Sequence, residues 1–107
     1  MIDFDTFSKV ELKIAGILEV SRVEGSEKLL KLRVSLGDEE RQILAGIGRQ
    51  YSPESLVGKN IVVVSNLEPR MIMGLESQGM VLAALDESGL PVVMLPERAV
   101  SPGGLLR

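Results

Sequence analysis

Leu30-Lys31-Leu32-Arg33-Val34-Ser35-Leu36 alternates strictly between apolar and polar residues, the period-two signature of a half-buried β-strand. Leu30, Leu32, Val34 and Leu36 leave one face of this strand, and Lys31, Arg33 and Ser35 leave the other. Downstream, Gly37-Asp38-Glu39-Glu40 reads as a hairpin turn into a shorter strand over 41–45. Upstream, the turn Glu24-Gly25-Ser26-Glu27 follows a longer alternating run. Its even positions are Val10, Leu12, Ile14, Gly16, Leu18 and Val20, against Glu11, Lys13, Ala15, Ile17, Glu19 and Ser21. This predicts one long strand with its even side inward and a bulge or bend at Ala15-Gly16.

After Gly46-Ile47-Gly48 the alternation stops. Ser52-Pro53-Glu54-Ser55-Leu56 has a helix start, with Ser52 as N-cap, Pro53 at the first helical position and Gly58 as the stop. Continuous apolar runs over 60–66 and 80–85 read as strands joined by a loop over 67–79. A turn at Glu87-Ser88-Gly89 leads to a last strand over 91–95 and an irregular tail. Asp3 to Phe7 is expected to form one helical turn that places Phe4 and Phe7 on the core. Strands separated by turns, a bent first strand and a helix between the third and fourth strands predict an all-β fold. The pattern fits a five-stranded OB-fold barrel in one domain over 1–107.

Composition removes most chemistries. The 107 residues are 45% hydrophobic and 25% charged, typical of a folded globular chain. There is no Cys and no His. That excludes disulfides, thiolate nucleophiles, Ser-His-Asp systems and most zinc sites. Glu54, Glu68 and Glu76 lie singly and Asp38-Glu39-Glu40 is a solvated turn, so no catalytic residue, metal or cofactor is expected. No apolar run approaches the roughly 20 residues of a membrane helix. The acidic Met1-Ile2-Asp3-Phe4-Asp5 start is unlike a signal peptide, and the expected compartment is the cytoplasm.

Two constellations remain. Lys31 and Arg33 leave one strand face roughly 7 Å apart, with Ser35 and no acid between them in sequence. Lys28 stands at the mouth of the preceding turn, and Lys13 joins them if the first two strands pair along that length. The second constellation is the stretch from Asn66 to Met80. Arg70 can grip a phosphate bidentately, and Asn66, Ser77 and Gln78 offer further hydrogen bonds. The plainer reading gives a solvated strand face and a lid of Met71, Ile72 and Met73. A net charge of −3 with 3% aromatic residues requires a local cationic footprint and leaves little base stacking.

Three stretches together resemble the tRNA-binding domain family. They are the opening Phe4-Asp5-Thr6-Phe7-Ser8-Lys9-Val10-Glu11-Leu12-Lys13-Ile14-Ala15-Gly16, the turn Glu24-Gly25-Ser26-Glu27-Lys28-Leu29-Leu30, and Val62 to Arg70 continued by Gly74, Ser77-Gln78-Gly79-Met80 and Leu82-Ala83-Ala84. The family is found at the C-terminus of methionyl-tRNA synthetases, as free-standing structure-specific tRNA-binding proteins, and in cofactors of synthetase complexes. The resemblance implies an OB barrel with C-terminal segments that pair two subunits. It also implies recognition of the tRNA outer corner by shape and backbone. Carried onto matching positions, it makes Lys28, Asn66, Arg70, Ser77 and Met80 tRNA contacts; the strand pattern adds Lys31 and Arg33. Expected partners are tRNA, a second copy of the chain and a methionyl-tRNA synthetase catalytic domain. Three departures weaken the positive field: Glu68 stands for a basic residue, Met71-Ile72 for a basic-plus-apolar pair, and Glu24-Gly25 for His-Pro. Relatives of this barrel also act as secretion-associated chaperones. A dimer binding apolar peptide through Met71-Ile72-Met73 is therefore the alternative.

Overall fold

The computed structural model describes residues 1–107. In chain order the elements are α1 (Phe4–Ser8), β1 (Leu12–Arg22), β2 (Leu30–Ser35), β3 (Glu40–Ala45), α2 (Pro53–Leu56), β4 (Asn60–Val64), β5 (Arg70–Ile72), β6 (Leu75–Ser77), β7 (Met80–Val81), β8 (Ala83–Leu85) and β9 (Pro91–Val93). One antiparallel sheet runs in the order β3-β2-β1-β4-β7 and curls into a nearly closed five-stranded barrel of OB type, with α2 between β3 and β4. The inward side of β2 is as the alternation predicts: Leu30, Leu32 and Val34 are fully buried. Each such side chain is worth about 1.5–3 kcal/mol of apolar burial. Ile43, Leu56, Ile61 and Val63 meet them from the surrounding elements.

The long first strand bends at a different place from the one expected. β1 pairs with β4 through Leu12–Gly16 and with β2 through Gly16–Arg22, and the register slips between Ile17 and Glu19. The extra residue is Leu18, not Ala15 or Gly16. A one-residue slip reverses which side chains face inward. The odd residues Ala15 and Ile17 therefore enter the core ahead of the bulge, Val20 packs on it afterwards, and Leu18 is left out in solvent. Ile14 is buried on the other side, beneath the C-terminal tail. Gly103 N donates to Ile14 O, Ile14 N to Gly104 O, and Leu106 N to Leu12 O, so the tail serves β1 where β2 has ended. Gly16 matters here because a Cβ on it would stand 2.9 Å from Pro102 Cγ.

Other expectations need correction. Phe4 and Phe7 lie on α1, which Asp3 caps through Thr6 N, but both rings are exposed rather than in the core. Ser52 occupies the N-cap of α2 without a side-chain capping bond. The loop over 67–79 contains the hairpin β5–β6, turned at Met73 (φ 50°) and Gly74 (φ 79°). Two consecutive positive φ values are those of a type I′ turn, whose twist matches its flanking strands. The run over 80–85 is two short strands, because β7 pairs with β4 whereas β8 leaves the barrel to pair with β9.

The barrel closes largely through side chains. Opposite β3, the strand ladder is replaced by Ser77 and Gln78. Leu44 N donates to Ser77 Oγ (3.0 Å), which donates to Gly79 O (3.1 Å); Gln42 N donates to Gln78 Oε1 (3.0 Å). Gln78 N returns a bond to Gln42 O at 2.8 Å. Ser77→Ala is expected to strand the Leu44 N–H in a buried site and to cost about 1–3 kcal/mol. Urea denaturation checks this against the exposed Ser88→Ala, whose effect should stay within about 0.5 kcal/mol; equal effects would contradict side-chain closure.

Candidate nucleic-acid interface

Polymer binding in this fold class uses the β2–β3 face and the two loops beside it, β1–β2 and the one leading into the fifth strand. Here those loops span Val23 to Leu29 and Ser65 to Gly79, and the chain brings them together. An ideal Cβ on Gly25 would lie 3.6 Å from Met73 Cε, so the tip of the first loop touches the turn of β5–β6. The second loop is tied down at both ends by Arg41 of β3, whose Nη1 donates to Ser65 O and to Gln78 O (3.4 Å) while Nη2 pairs with Glu39 (2.8 Å). The sequence pattern gave no separate role to Arg41. Its position within the third strand hides that its partners lie far along the chain.

Register orders the cations. Lys31 of β2 stands opposite Ser21 on β1 and Leu44 on β3; Leu44 N is held by Ser77, and Ser77 pairs with Arg70 on β5. Arg70 thus sits on the hairpin that Ser77 fastens to the strand next to Lys31. Lys28 lies at the start of this row, its stem against Gly46, where an added Cβ would stand 2.7 Å from Cε. A shallow groove of about 450 Å³ runs beside Lys31 and Arg33, bordered by Glu19, Ser21 and Gln42.

This face carries more acid than the spacing suggests. Glu19 is cross-strand from Arg33, and Glu40 Oε1 accepts from Arg33 Nε at 2.7 Å. Both partners of that pair are about half exposed, so it is worth no more than about 1 kcal/mol and yields readily to a phosphate. Lys13 lies in the half of β1 that pairs with β4, opposite Val63 and 3.4 Å from Glu11, and does not join Lys31. Arg22 and Arg49 were overlooked in the sequence because the bulge and the irregular Gly46-to-Arg49 stretch disguise where they emerge.

Several matched residues hold the frame. Ser77 is buried, and its hydroxyl accepts from Leu44 N and donates to Gly79 O, which fixes the hairpin that carries Arg70. Asn66 Oδ1 accepts from Glu11 N and its Nδ2 donates to Lys9 O, stitching the second loop to the segment before β1. Met80 is exposed at the start of β7, and Arg70 is exposed and unpaired.

An OB barrel with a cationic row between these two loops defines a class of nucleic-acid-binding modules. Comparison with known proteins narrows it: the model of the family described as "Putative tRNA binding domain" matches residues 12–104. The chain belongs to the tRNA-binding domain family. It is 53% identical over 92 residues, 86% of its length, to the methionine–tRNA ligase of Caldanaerobacter subterraneus subsp. tengcongensis, and covers 14% of that protein. It is 51% identical over 106 residues to the methionine–tRNA ligase of Methanococcus aeolicus, covering 99% of this chain and 16% of the other. The chain thus spans about one-seventh of the relatives it matches. Among solved structures, a MetRS-related protein from Pyrococcus horikoshii has TM-score 0.94 at 36% identity, covering 100% of this chain and 98% of that one. The chaperone CsaA from Bacillus anthracis has TM-score 0.91 at 27% identity, covering 100% and 99%.

One titration reports on the loop anchor. The Glu11 carboxyl is held below its ordinary value near 4.5 chiefly by the Ser65 hydroxyl (2.7 Å) and then by Lys13. A folded-state pKa below the unfolded one stabilises at pH above the unfolded value, and that stabilisation is lost as pH falls through the folded value. Wild type is therefore expected to exceed Glu11→Gln in stability near about pH 6, with a smaller gap at about pH 3. Urea titrations at the two pH values check this; a gap independent of pH would contradict it.

Proposed function

We propose that this domain is a non-catalytic tRNA-binding module that recognises the outer corner of tRNA by shape and backbone. It acts in trans or as the appended C-terminal domain of a cytoplasmic methionyl-tRNA synthetase. The observation that carries this reading is the contact of the two binding loops at Gly25 and Met73 beside the Lys31 row, in a chain of the tRNA-binding domain family. A folded RNA offers phosphates and 2′-hydroxyls to cations and amides, so recognition needs few aromatic platforms. The ligand contacts we assign are Lys28, Lys31, Arg33, Arg70 and Met80, with the Asn66 amide at the edge and Ser77 positioning the hairpin. Tethering to a catalytic domain raises the local tRNA concentration without new contacts.

Pairing of two copies belongs to the same proposal. Phe4, Phe7, Val10, Leu105 and Leu106 border an apolar groove of about 300 Å³ between α1 and the tail, on a part of the molecule separate from the Lys31 row. Asn66 also lines the groove, so a second copy covering it would take up that edge amide and leave Lys31, Arg33 and Arg70 open. The alternative, a chaperone-like dimer that binds apolar peptide through Met71-Ile72-Met73, draws on the exposure of Met71 and Met73 and on the resemblance to CsaA. Salt separates the readings, since apolar binding persists where phosphate contacts fail.

Whole tRNA is expected to bind more tightly than an unstructured RNA of equal length. The slope of log affinity against log salt should be about −2 to −4, for three or four neutralised phosphates. Gel shift checks the preference, and equal weak binding to both RNAs would defeat the reading. Arg70→Ala and Lys31→Ala should each weaken binding and flatten the slope; unchanged affinity in both would show that the face is wrong. Glu40→Gln releases Arg33 and should tighten binding about 2–5-fold, as measured by the same assay.

A further inference from the structure

Around the Gly46–Gly48 turn, three cations converge from separate parts of the chain. Arg22, the last residue of β1, donates from Nη1 to Gly48 O at 2.9 Å. Gly48 N donates to Lys28 O at 2.7 Å, which fixes the first loop to the same turn. Arg49 follows directly and is exposed. The turn admits no side chain at Gly48: a Cβ there would stand 2.9 Å from both Glu27 O and Lys28 O. The close approach of two backbones thus sets where Arg22, Lys28 and Arg49 emerge. None of the three takes part in an ion pair, although Glu24 and Glu27 lie in the adjoining loop.

We propose that Arg22, Lys28 and Arg49 form a second phosphate seat for the RNA backbone, built on the Gly46–Gly48 turn beside the first loop. The seat rests on the tRNA-binding reading and extends it by two residues, Arg22 and Arg49, outside the predicted row. Register sets Arg22 opposite Leu30, one residue past the Ser21–Lys31 pair, so its side chain leaves β1 on the opposite side from Lys31 and turns to Gly48 at the end of the barrel. Three cationic side chains with free N–H groups suit phosphate oxygens. The Arg22 bond to Gly48 O uses one of its five N–H groups, so the rest of its fork stays available.

The test is tRNA binding by wild type, Arg49→Ala, Arg49→Lys and Gly46→Ala across a salt series, with Arg98→Ala as a control. Arg49→Ala should weaken binding several-fold at low salt and reduce the salt slope by about one, whereas Arg49→Lys should keep most of the slope. Gly46→Ala displaces the flexible Lys28 stem without a backbone penalty at its own φ, and should weaken binding with little change in urea midpoint. If wild type binds tRNA and Arg49→Ala behaves as Arg98→Ala, the seat is refuted and the tRNA reading stands. If wild type does not prefer tRNA over unstructured RNA, both are refuted.

Discussion

The structure depends on how the barrel is closed. A five-stranded sheet with one short final strand cannot complete its circumference by backbone pairing alone, because β7 is only Met80–Val81. Ser77 and Gln78 supply the missing donors and acceptors to β3, and Arg41 fastens both ends of the intervening loop. Unpaired backbone groups on the inner edge of β3 would otherwise be buried without partners, at a cost comparable to lost hydrogen bonds. The same bonds determine where the β5–β6 hairpin stands. Closure and presentation of Arg70 are consequently one constraint.

Electrostatics follow from that placement. With a net charge of −3 the chain repels RNA at long range, so binding has to come from local geometry. Lys13, Arg33 and Arg41 are engaged with Glu11, Glu40 and Glu39, while Lys31, Lys28 and Arg70 are not. The half-exposed Arg33–Glu40 pair tempers the face without abolishing it.

Much of the fold was legible because β2 alternates without interruption and Pro53 and Gly58 bracket α2. The bulge was misplaced by two residues because Ala15-Gly16 looks like a weak point, whereas Leu18 carries no local signal; only the β2 register reveals it. The hairpin inside the second loop was missed because its turn is Met73-Gly74, and Met is a rare occupant of a positive φ. For the candidate site, Arg70 and Lys28 are exposed and Lys31 is half-buried, since charged residues on a strand's outer parity or in turns are seldom fully buried. Asn66 is exposed too, whereas Ser77 is buried; the bonds of the two run to Leu44, Glu11 and Lys9, and such long-range partners leave no local trace in sequence. Phe4 and Phe7 were read as core, and they line a surface groove.

The most direct measurement is an amide chemical-shift map of the isotope-labelled protein titrated with whole tRNA. Perturbations should concentrate in the first loop around Lys28, along the β2–β3 face at Lys31, Arg33 and Gln42, and in the hairpin from Arg70 to Gly74. Shifts confined instead to α1 and the Leu105–Arg107 tail, with the β2–β3 face silent, would contradict the account.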